Sequence, residues 1–509
     1  MQRRWVFSFL LLPLAAGATI YPVGASRTYT SPCALAASVS LGPGDIIEVD
    51  PGTYRDACQL TASGTALAPI TLRGLAGTPP LFDATGVDLS GVGSVPRAIF
   101  QFTGGSFWVV QSLELENASN SSANGAAFRV TGGAHDILIE GVSVHDCQDG
   151  MMSDGVATVT VQASDIFHNG AGDGFSHNFY MQGDSTTLIG NHIHDSNGGQ
   201  NVKLRSRYAA LLFNLIENAG NYEMDLIQGP LTSEASANAV LIGNVIVRPT
   251  NSGNDSQVIL FGTDDTTQLA RNGSLYAVNN TIILQNSANR LFHTIQPVSG
   301  SEILLENNIV FATVAGTALA ADATTAGILL GSQNWVASDV ALSGTLTETL
   351  SGVDPGFVSS TDYHLLSSSP SIGQGSLDAT YVDETGATQS AVPAEEFLLP
   401  EGTVPRLNPG ALDLGAFASI GLDAGRPGSP DGGADGGEAA TDGGTPTSLG
   451  ASPAPTGVSA SCACSEASSN SLLASLLVVA AFLRRRPAEV GPRSLPPGNG
   501  QPIPRRHAA

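Results

Sequence analysis

The chain repeats itself. ILIEGVSVHDC, VTVQASDIFHNG, TTLIGNHIHDS, ALLFNLIENAG, AVLIGNVIVRP, LYAVNNTIILQ and EILLENNIVFA follow one another, each with two short apolar runs broken by Gly, Asn or Ser. Aligned on an Asn-x-Ile element, equivalent positions fall at Leu113, Val142, Ser164, Asn191, Asn214, Asn244, Asn280 and Asn307, at intervals of 29, 22, 27, 23, 30, 36 and 27 residues. Helical repeats would need apolar residues three and four apart, which are missing. A β-sandwich or propeller would need hairpin turns such as Asn-Gly at regular spacing, and these are irregular. Coils of this length with period-2 patterning predict an all-β parallel β-solenoid. Asn tolerates left-handed backbone and bonds its own turn. The column at Asn191, Asn214, Asn244, Asn280 and Asn307 is therefore expected to be a structural ladder with no catalytic role.

The two ends do not share this pattern. MQRRWVFSFLLLPLAAGAT has a charged start, an apolar core and a small-residue cleavage site, and predicts a signal peptide over 1–18. The run is short for a membrane span. The repeat-bearing domain is expected over 19–420. Residues 421–460 are rich in Gly, Pro, Ser, Thr and Asp, bury too little apolar surface to offset chain entropy, and predict a disordered linker. Beyond it come Cys462 and Cys464, an apolar run from Ser471 to Leu483, and Arg484, Arg485 and Arg486. An apolar run closed by arginines halts translocation. This 461–486 segment resembles the MYXO-CTERM surface-sorting tail of myxobacterial exported proteins, in which the Cys is the site of processing. It departs from that pattern in having two cysteines and in continuing through 487–509, a second disordered tail. The expected location is secreted, extracellular or anchored at the cell surface or outer membrane by the tail.

Outside the terminal segments the chain has 13 basic against 43 acidic residues, a formal charge near −30. Nucleic-acid binding needs clustered cations, so it is excluded as a partner. Cys33 and Cys58 flank one segment and could pair in an oxidising compartment, which leaves Cys147 over as a small buried residue. No cysteine spacing suggests zinc or redox chemistry.

LGPGDIIEVDPGTYRDACQLTASGTALAPITLRG contains Gly44-Asp45, Pro51-Gly52-Thr53-Tyr54 and a strand from Pro69 to Gly74. It resembles the opening coil of right-handed parallel β-helix proteins of the pectate-lyase superfamily. Val353–Ser376 resembles their last coil, and Asp413-Leu414-Gly415-Ala416 a final strand. The resemblance covers about 19–420 and implies a single-stranded right-handed parallel β-helix. One fold hosts many functions, so activity must be argued from a site.

The only lysine, Lys203, stands near Arg205 and Arg207 in the middle of the array. Side chains alternate along a strand. In NVKLRSR, Val202, Leu204 and Ser206 are expected inward and Asn201, Lys203, Arg205 and Arg207 outward. In NYEMDLI, Tyr222, Met224 and Leu226 are expected inward and Glu223 and Asp225 outward. In HNFYMQG, Asn178 and Tyr180 are expected outward. Tyr180, Lys203 and Asp225 are 23 and 22 residues apart, one coil each, so they are expected in one column with strands ~4.8 Å apart.

Such a patch suits an acidic polysaccharide. Cleaving a uronate chain by β-elimination needs a neutralised carboxylate, a base for the C5 proton and an acid for the leaving oxygen. Lys203 is the candidate base, and Arg205 the candidate clamp or acid. Asn178, Tyr180, Asn201 and Arg207 are candidate substrate contacts. Glu223 and Asp225 are candidate ligands for Ca2+. Locally the chain resembles a subgroup of the superfamily with a His-x-x-Tyr strand, a Gly-His-Asn-x-Lys-Ser-Arg coil and a Tyr-x-x-Asp strand. The counterparts are His177 and Tyr180; Gly199, Asn201, Lys203 and Arg205; and Tyr222 and Asp225. Gln200 stands where the subgroup has His, and Leu204 where it has Ser. The layout is also similar to lyases of the chondroitinase-B and alginate-lyase type.

Two other readings remain open. The charges could form a cross-strand salt ladder worth a fraction of a kcal/mol per pair. The chain, expected to be a monomer, could also be a non-catalytic glycan-binding, adhesion or matrix protein. A glycoside hydrolase would need two carboxylates across a cleft, and Glu223 and Asp225 share one strand. His145, His168, His192, His194 and His293 are read as surface or packing residues, and Asp146, Asp149, Asp154 and Asp173 as turn residues.

Overall fold

The computed structural model describes residues 17–234, 236–248, 257–285, 290–407 and 410–419. Residues 1–16 of the expected signal peptide (1–18), the expected linker at 421–460 and the segments 461–486 and 487–509 lie outside the described residues.

Most coils lay down three short strands, and each strand pairs in parallel with its equivalent in the next coil. The first face runs from Cys58–Leu60 to Ala318–Ala320, and the second from Ile20–Val23 to Thr345–Thr347. The third is a 12-stranded sheet from Thr53–Tyr54 to Leu350–Gly352. Two eleven-residue strands, Phe179–Ile189 and Val202–Leu212, bend across the first two faces and join them into one 21-stranded sheet. The result is the expected parallel β-helix. Antiparallel strand pairing among the described residues is confined to two late hairpins, Thr380–Val382 with Thr388–Ser390 and Glu395–Phe397 with Thr403–Pro405. The described helices are the short segments Pro32–Ser38 and Ala323–Ile328, and neither is long and apolar enough to cross a membrane.

Alternation builds the core. Phe179, Met181, Val202, Leu204, Met224 and Leu226 all point inward and are buried, stacked coil on coil. At the opening end, Leu35 of the first helix enters the same core, and Cys33 bonds Cys58 across a Cα separation of 5.4 Å. Cys147 is free and buried. The opening motif forms strands Ile46–Val49, Thr53–Tyr54 and Ile70–Gly74. The closing motif differs from expectation: residues 413–416 form no strand. Instead the Gly415 amide donates to the Asn307 carbonyl at 2.8 Å, and the Ala416 amide to Thr281 Oγ1 at 2.9 Å.

The asparagine ladder lies at the corner between the second and third faces. Side-chain Nδ2 groups donate to the next Oδ1 from Asn191 to Asn214 (3.0 Å), Asn244 (2.9 Å), Asn280 (2.9 Å), Asn308 (3.0 Å) and Asn334 (3.1 Å) in turn. Each Oδ1 also accepts a backbone amide from the preceding coil, and each Nδ2 reaches a backbone carbonyl. The ladder thus satisfies its own buried polar atoms. Two expectations are corrected. The ladder residue is Asn308, not Asn307, because Thr281 pairs with Ile309 and the register counts back from there. The left-handed backbone belongs to the residue before each rung, as at Phe213 (φ 57°), Asn279 (φ 52°) and Asn307 (φ 59°). The rung itself is needed for its amide.

Asn244→Leu removes the acceptor of the buried Asn214 amide and Nδ2 and the donor to Asn280 Oδ1 and the Leu211 carbonyl, while the backbone amide of residue 244 still reaches Asn280. At ~1–3 kcal/mol per orphaned buried group, urea unfolding should show a loss of roughly 3 kcal/mol or more. An exposed substitution such as Leu67→Ala should change stability by less than ~0.5 kcal/mol.

Candidate functional site

Tyr180, Lys203 and Asp225 occupy one column of the first face: Tyr180 pairs with Lys203, and Lys203 with Asp225. Lys203 Nζ lies 3.1 Å from Asp225 Oδ2 and 3.1 Å from Asp264 Oδ2. Arg205, two residues along the strand, places Nη2 2.7 Å from the same Asp264 oxygen and donates from Nη1 to the Gln228 carbonyl at 2.8 Å. Its guanidinium lies 5.9 Å from the Tyr180 ring centre. Gln182, beside Tyr180, donates to the phenol oxygen at 3.4 Å.

Asp264 completes this cluster from a loop that follows strand Ile259–Gly262. Gln228 holds it by a reciprocal pair: Gln228 Nε2 donates to Asp264 Oδ1 at 2.8 Å, and the Asp264 amide donates to Gln228 Oε1 at 3.1 Å. Gly229 allows the approach, since a Cβ there would run into the Arg205 carbonyl oxygen. Nothing in the local pattern around Lys203 reveals a partner 61 residues downstream.

Asp225 is fully buried, and neither of its oxygens has a well-aligned hydrogen-bond donor among the described residues. Lys203 meets it as a charge contact, and the Tyr222 phenol lies beside it. Burial pushes the Asp225 carboxyl up, and Lys203 opposes that shift. Asp264 goes the other way. Burial would raise it, but the Gln228 amide, Lys203 and Arg205 together hold it below the usual carboxylate range. The ionised carboxylate shared by both cations is thus Asp264.

Several orientations expected from alternation are corrected. Asn178, Asn201 and Glu223 do not face solvent; all three are fully buried. The strands begin at Phe179, Val202 and Met224. Each of the three residues therefore stands one step earlier, where the chain still turns the corner, and alternation does not govern it. Their side chains form a second ladder. Asn169 Nδ2 donates to Asn178 Oδ1 at 2.9 Å, Asn178 Nδ2 to Asn201 Oδ1 at 2.8 Å, and Asn201 Nδ2 to Glu223 Oε2 at 2.8 Å. Arg248 closes it, with Nη1 3.1 Å from Glu223 Oε1. These residues support the face from beneath and offer nothing to a substrate. Tyr222 is not in the main core either. It packs with Ile227 and Leu260 on the outer side, because it too precedes its strand. Arg207 is bound elsewhere, to Asp184 Oδ1 at 2.7 Å and to the Glu384 carbonyl at 3.0 Å.

Glu223 and Asp225 do not fit Ca2+. Each already meets a protein cation, and neither reaches solvent, whereas calcium takes six to eight oxygens.

Two further residues flank the cluster. The His177 ring stacks on Tyr180 with centres 5.6 Å apart, and its Nδ1 accepts the Gln200 amide at 3.1 Å. Burial, reinforced by Lys203, pushes His177 down to about 3, so it is neutral with its proton on Nε2. Asp149 accepts the His177 amide at 2.9 Å, and burial pushes its carboxyl up to about 8. Its sequence context reads as a turn, and only its packing distinguishes it.

No protein-family model and no curated protein matches the chain. Among solved structures the chain is similar to a pectate lyase, Pel9A, at 15% identity over 79% of this chain and 98% of that one, with a TM-score of 0.40. It is similar to an alginate lyase from Paenibacillus sp. str. FPU-7 at 15% identity over 66% and 99%, TM-score 0.37. It is also similar to XylC in complex with xylose, at 10% identity over 66% and 87%, TM-score 0.42. The architecture described above rests on the strand pairing alone.

Asp149 gives a pH test of the site's support. Its folded value of about 8 lies above the ordinary unfolded carboxylate value of ~3.9. Between these, the folded state keeps a proton that the unfolded state has lost, so stability falls as pH rises. Urea unfolding across this window should lose on the order of 1 kcal/mol per pH unit from this group. Asp149→Asn should remove that part of the slope.

Proposed function

We propose that the first face around Lys203 binds an acidic, uronate-containing polysaccharide. The observation that carries this reading is the sharing of one exposed carboxylate, Asp264, by two cations on a single strand. Lys203 and Arg205 set two cations side by side on one strand of an acidic molecule, with Asp264 as their shared counter-charge. A uronate carboxylate is the complementary ligand, and Tyr180 supplies an aromatic surface for the sugar ring.

Elimination is the second reading. It would take the C5 proton to a base, break the C4–O bond and form a C4=C5 double bond, with a proton delivered to the leaving oxygen. Tyr180, Lys203 and Arg205 offer the group types this needs. Lys203, however, contacts two carboxylates, and an ion-paired ammonium has no lone pair to accept a proton. Binding without cleavage is therefore the better-supported function. In this reading the protein is exported and displayed at the cell surface, and the polysaccharide belongs to the cell exterior.

Binding of alginate, pectate and glycosaminoglycans should be detected by affinity electrophoresis or calorimetry, and should weaken as salt is raised. Arg205→Ala should cost about ten-fold or more, in line with ~1.5–3 kcal/mol for a hydrogen bond to a charged group. Arg27→Ala, which removes an unrelated exposed ion pair with Asp50, should change nothing. Ultraviolet absorbance of unsaturated uronates, followed with and without Ca2+, separates the two readings. Binding without absorbance means recognition alone; absorbance abolished by Lys203→Ala means elimination. Failure to bind any uronate polymer would sink both.

A further inference from the structure

The third face carries a cluster that the proposed function does not use. Asp165 pairs across strands with His192, and His194 stands two residues further on the same outward side. Asp165 Oδ1 lies 3.1 Å from His194 Nε2 and 3.7 Å from His192 Nδ1, and the three donor atoms all fall within 4.8 Å of one another. Each imidazole has its other nitrogen held by a separate carboxylate. His194 Nδ1 is 2.6 Å from Asp195 Oδ2, and His192 Nε2 is 3.0 Å from Glu217 Oε1. Each imidazole is thus held between two carboxylates, its outer nitrogen on Asp195 or Glu217 and its inner nitrogen on the same Asp165 oxygen, so an ion taking the place of the inner protons would meet two nitrogens and one carboxylate.

We propose that Asp165, His192 and His194 form a binding site for a borderline divalent transition ion, with Zn2+ the best match. Zinc takes imidazole and carboxylate ligands at ~2.0–2.2 Å in a tetrahedron, which sets donors roughly 3.4 Å apart. The separations to Asp165 lie on either side of that value. The stacked rings, with centres 3.9 Å apart, need only a rotation to aim both inner nitrogens at one ion. Imidazole ligands favour such an ion over calcium or magnesium, which prefer oxygen. The carboxylates on the outer nitrogens are the supports that metal-binding histidines use to fix tautomer and ring orientation. The ligand side chains are part-exposed, between 17% and 35%, so an ion can enter, and three protein ligands leave a fourth position open to water or a substrate atom. A second cluster, Glu116, His145 and Asp146, has a single imidazole and so offers an ion one nitrogen where the Asp165 cluster offers two. The site is independent of the uronate reading.

The test uses untagged full-length protein, stripped with chelator and titrated with zinc chloride by calorimetry near neutral pH, with Ca2+ and Mg2+ as comparison ions. The expected result is one saturable zinc per chain, no matching calcium or magnesium binding, and a rise in Tm on zinc addition. Asp165→Asn and His194→Ala should each weaken binding at least ten-fold. Asp195→Asn, which alters only the outer support, should weaken it about 10–100-fold. His145→Ala should leave it unchanged. Circular dichroism checks that each variant is folded, and His192→Gln substitutes for any that is not. Absence of saturable zinc binding, binding that survives Asp165→Asn and His194→Ala, or loss of binding in His145→Ala would each overturn the proposal.

Discussion

The lateral register between successive coils is the constraint from which the rest of the molecule follows. Neighbouring strands must pair in parallel with no slip, because a one-residue shift would turn Val202 and Leu204 outward and Lys203 and Arg205 into the core. Backbone ladders alone do not forbid such a shift. The buried asparagines do, because each amide fits only its counterpart one coil away. A rung out of step would leave several buried polar atoms unsatisfied at once, and register is thereby fixed along the axis at a cost no single slip can meet.

The corner before the first face uses the same physics with a different ending. Asn169, Asn178 and Asn201 pass hydrogen bonds from coil to coil, and the run terminates in the fully buried Glu223–Arg248 pair. The amides and the guanidinium satisfy the Glu223 oxygens, which makes a buried charge tolerable. The strand starts at Phe179, Val202 and Met224 are held from below, and the column of Tyr180, Lys203 and Asp225 sits on that support. Asp264 then fixes Lys203 and Arg205 from above, through a loop that Gln228 clamps. A strongly acidic chain with few cations has tied its single lysine into a network in which one carboxylate is pushed toward neutrality and the other is kept ionised.

The third face shows how a regular scaffold generates chemistry by spacing alone. Residues two apart on one strand, and one coil apart on neighbouring strands, are brought together without any dedicated loop. Phe167 and His194 stack with centres 5.1 Å apart, and His145 and Phe167 at 4.9 Å, simply because they share a column.

Sequence alone determined the class of fold, the inward set of apolar residues and the Tyr180–Lys203–Asp225 column, because all three depend on two periods: alternation along a strand and one coil between strands. It also marked the asparagine column, though it misjudged one rung by a residue where two asparagines, Asn307 and Asn308, stand side by side. Tertiary structure decided what those periods do not reach. Asn178, Asn201, Glu223 and Tyr222 precede their strands, so a corner set their direction. Asp264 arrives from a loop of another coil, and the convergence of His192 and His194 on Asp165 depends on side-chain torsions. Local alternation fixes a direction only within a strand, whereas burial, charge pairing and the closing of distant loops are settled by everything that packs around them.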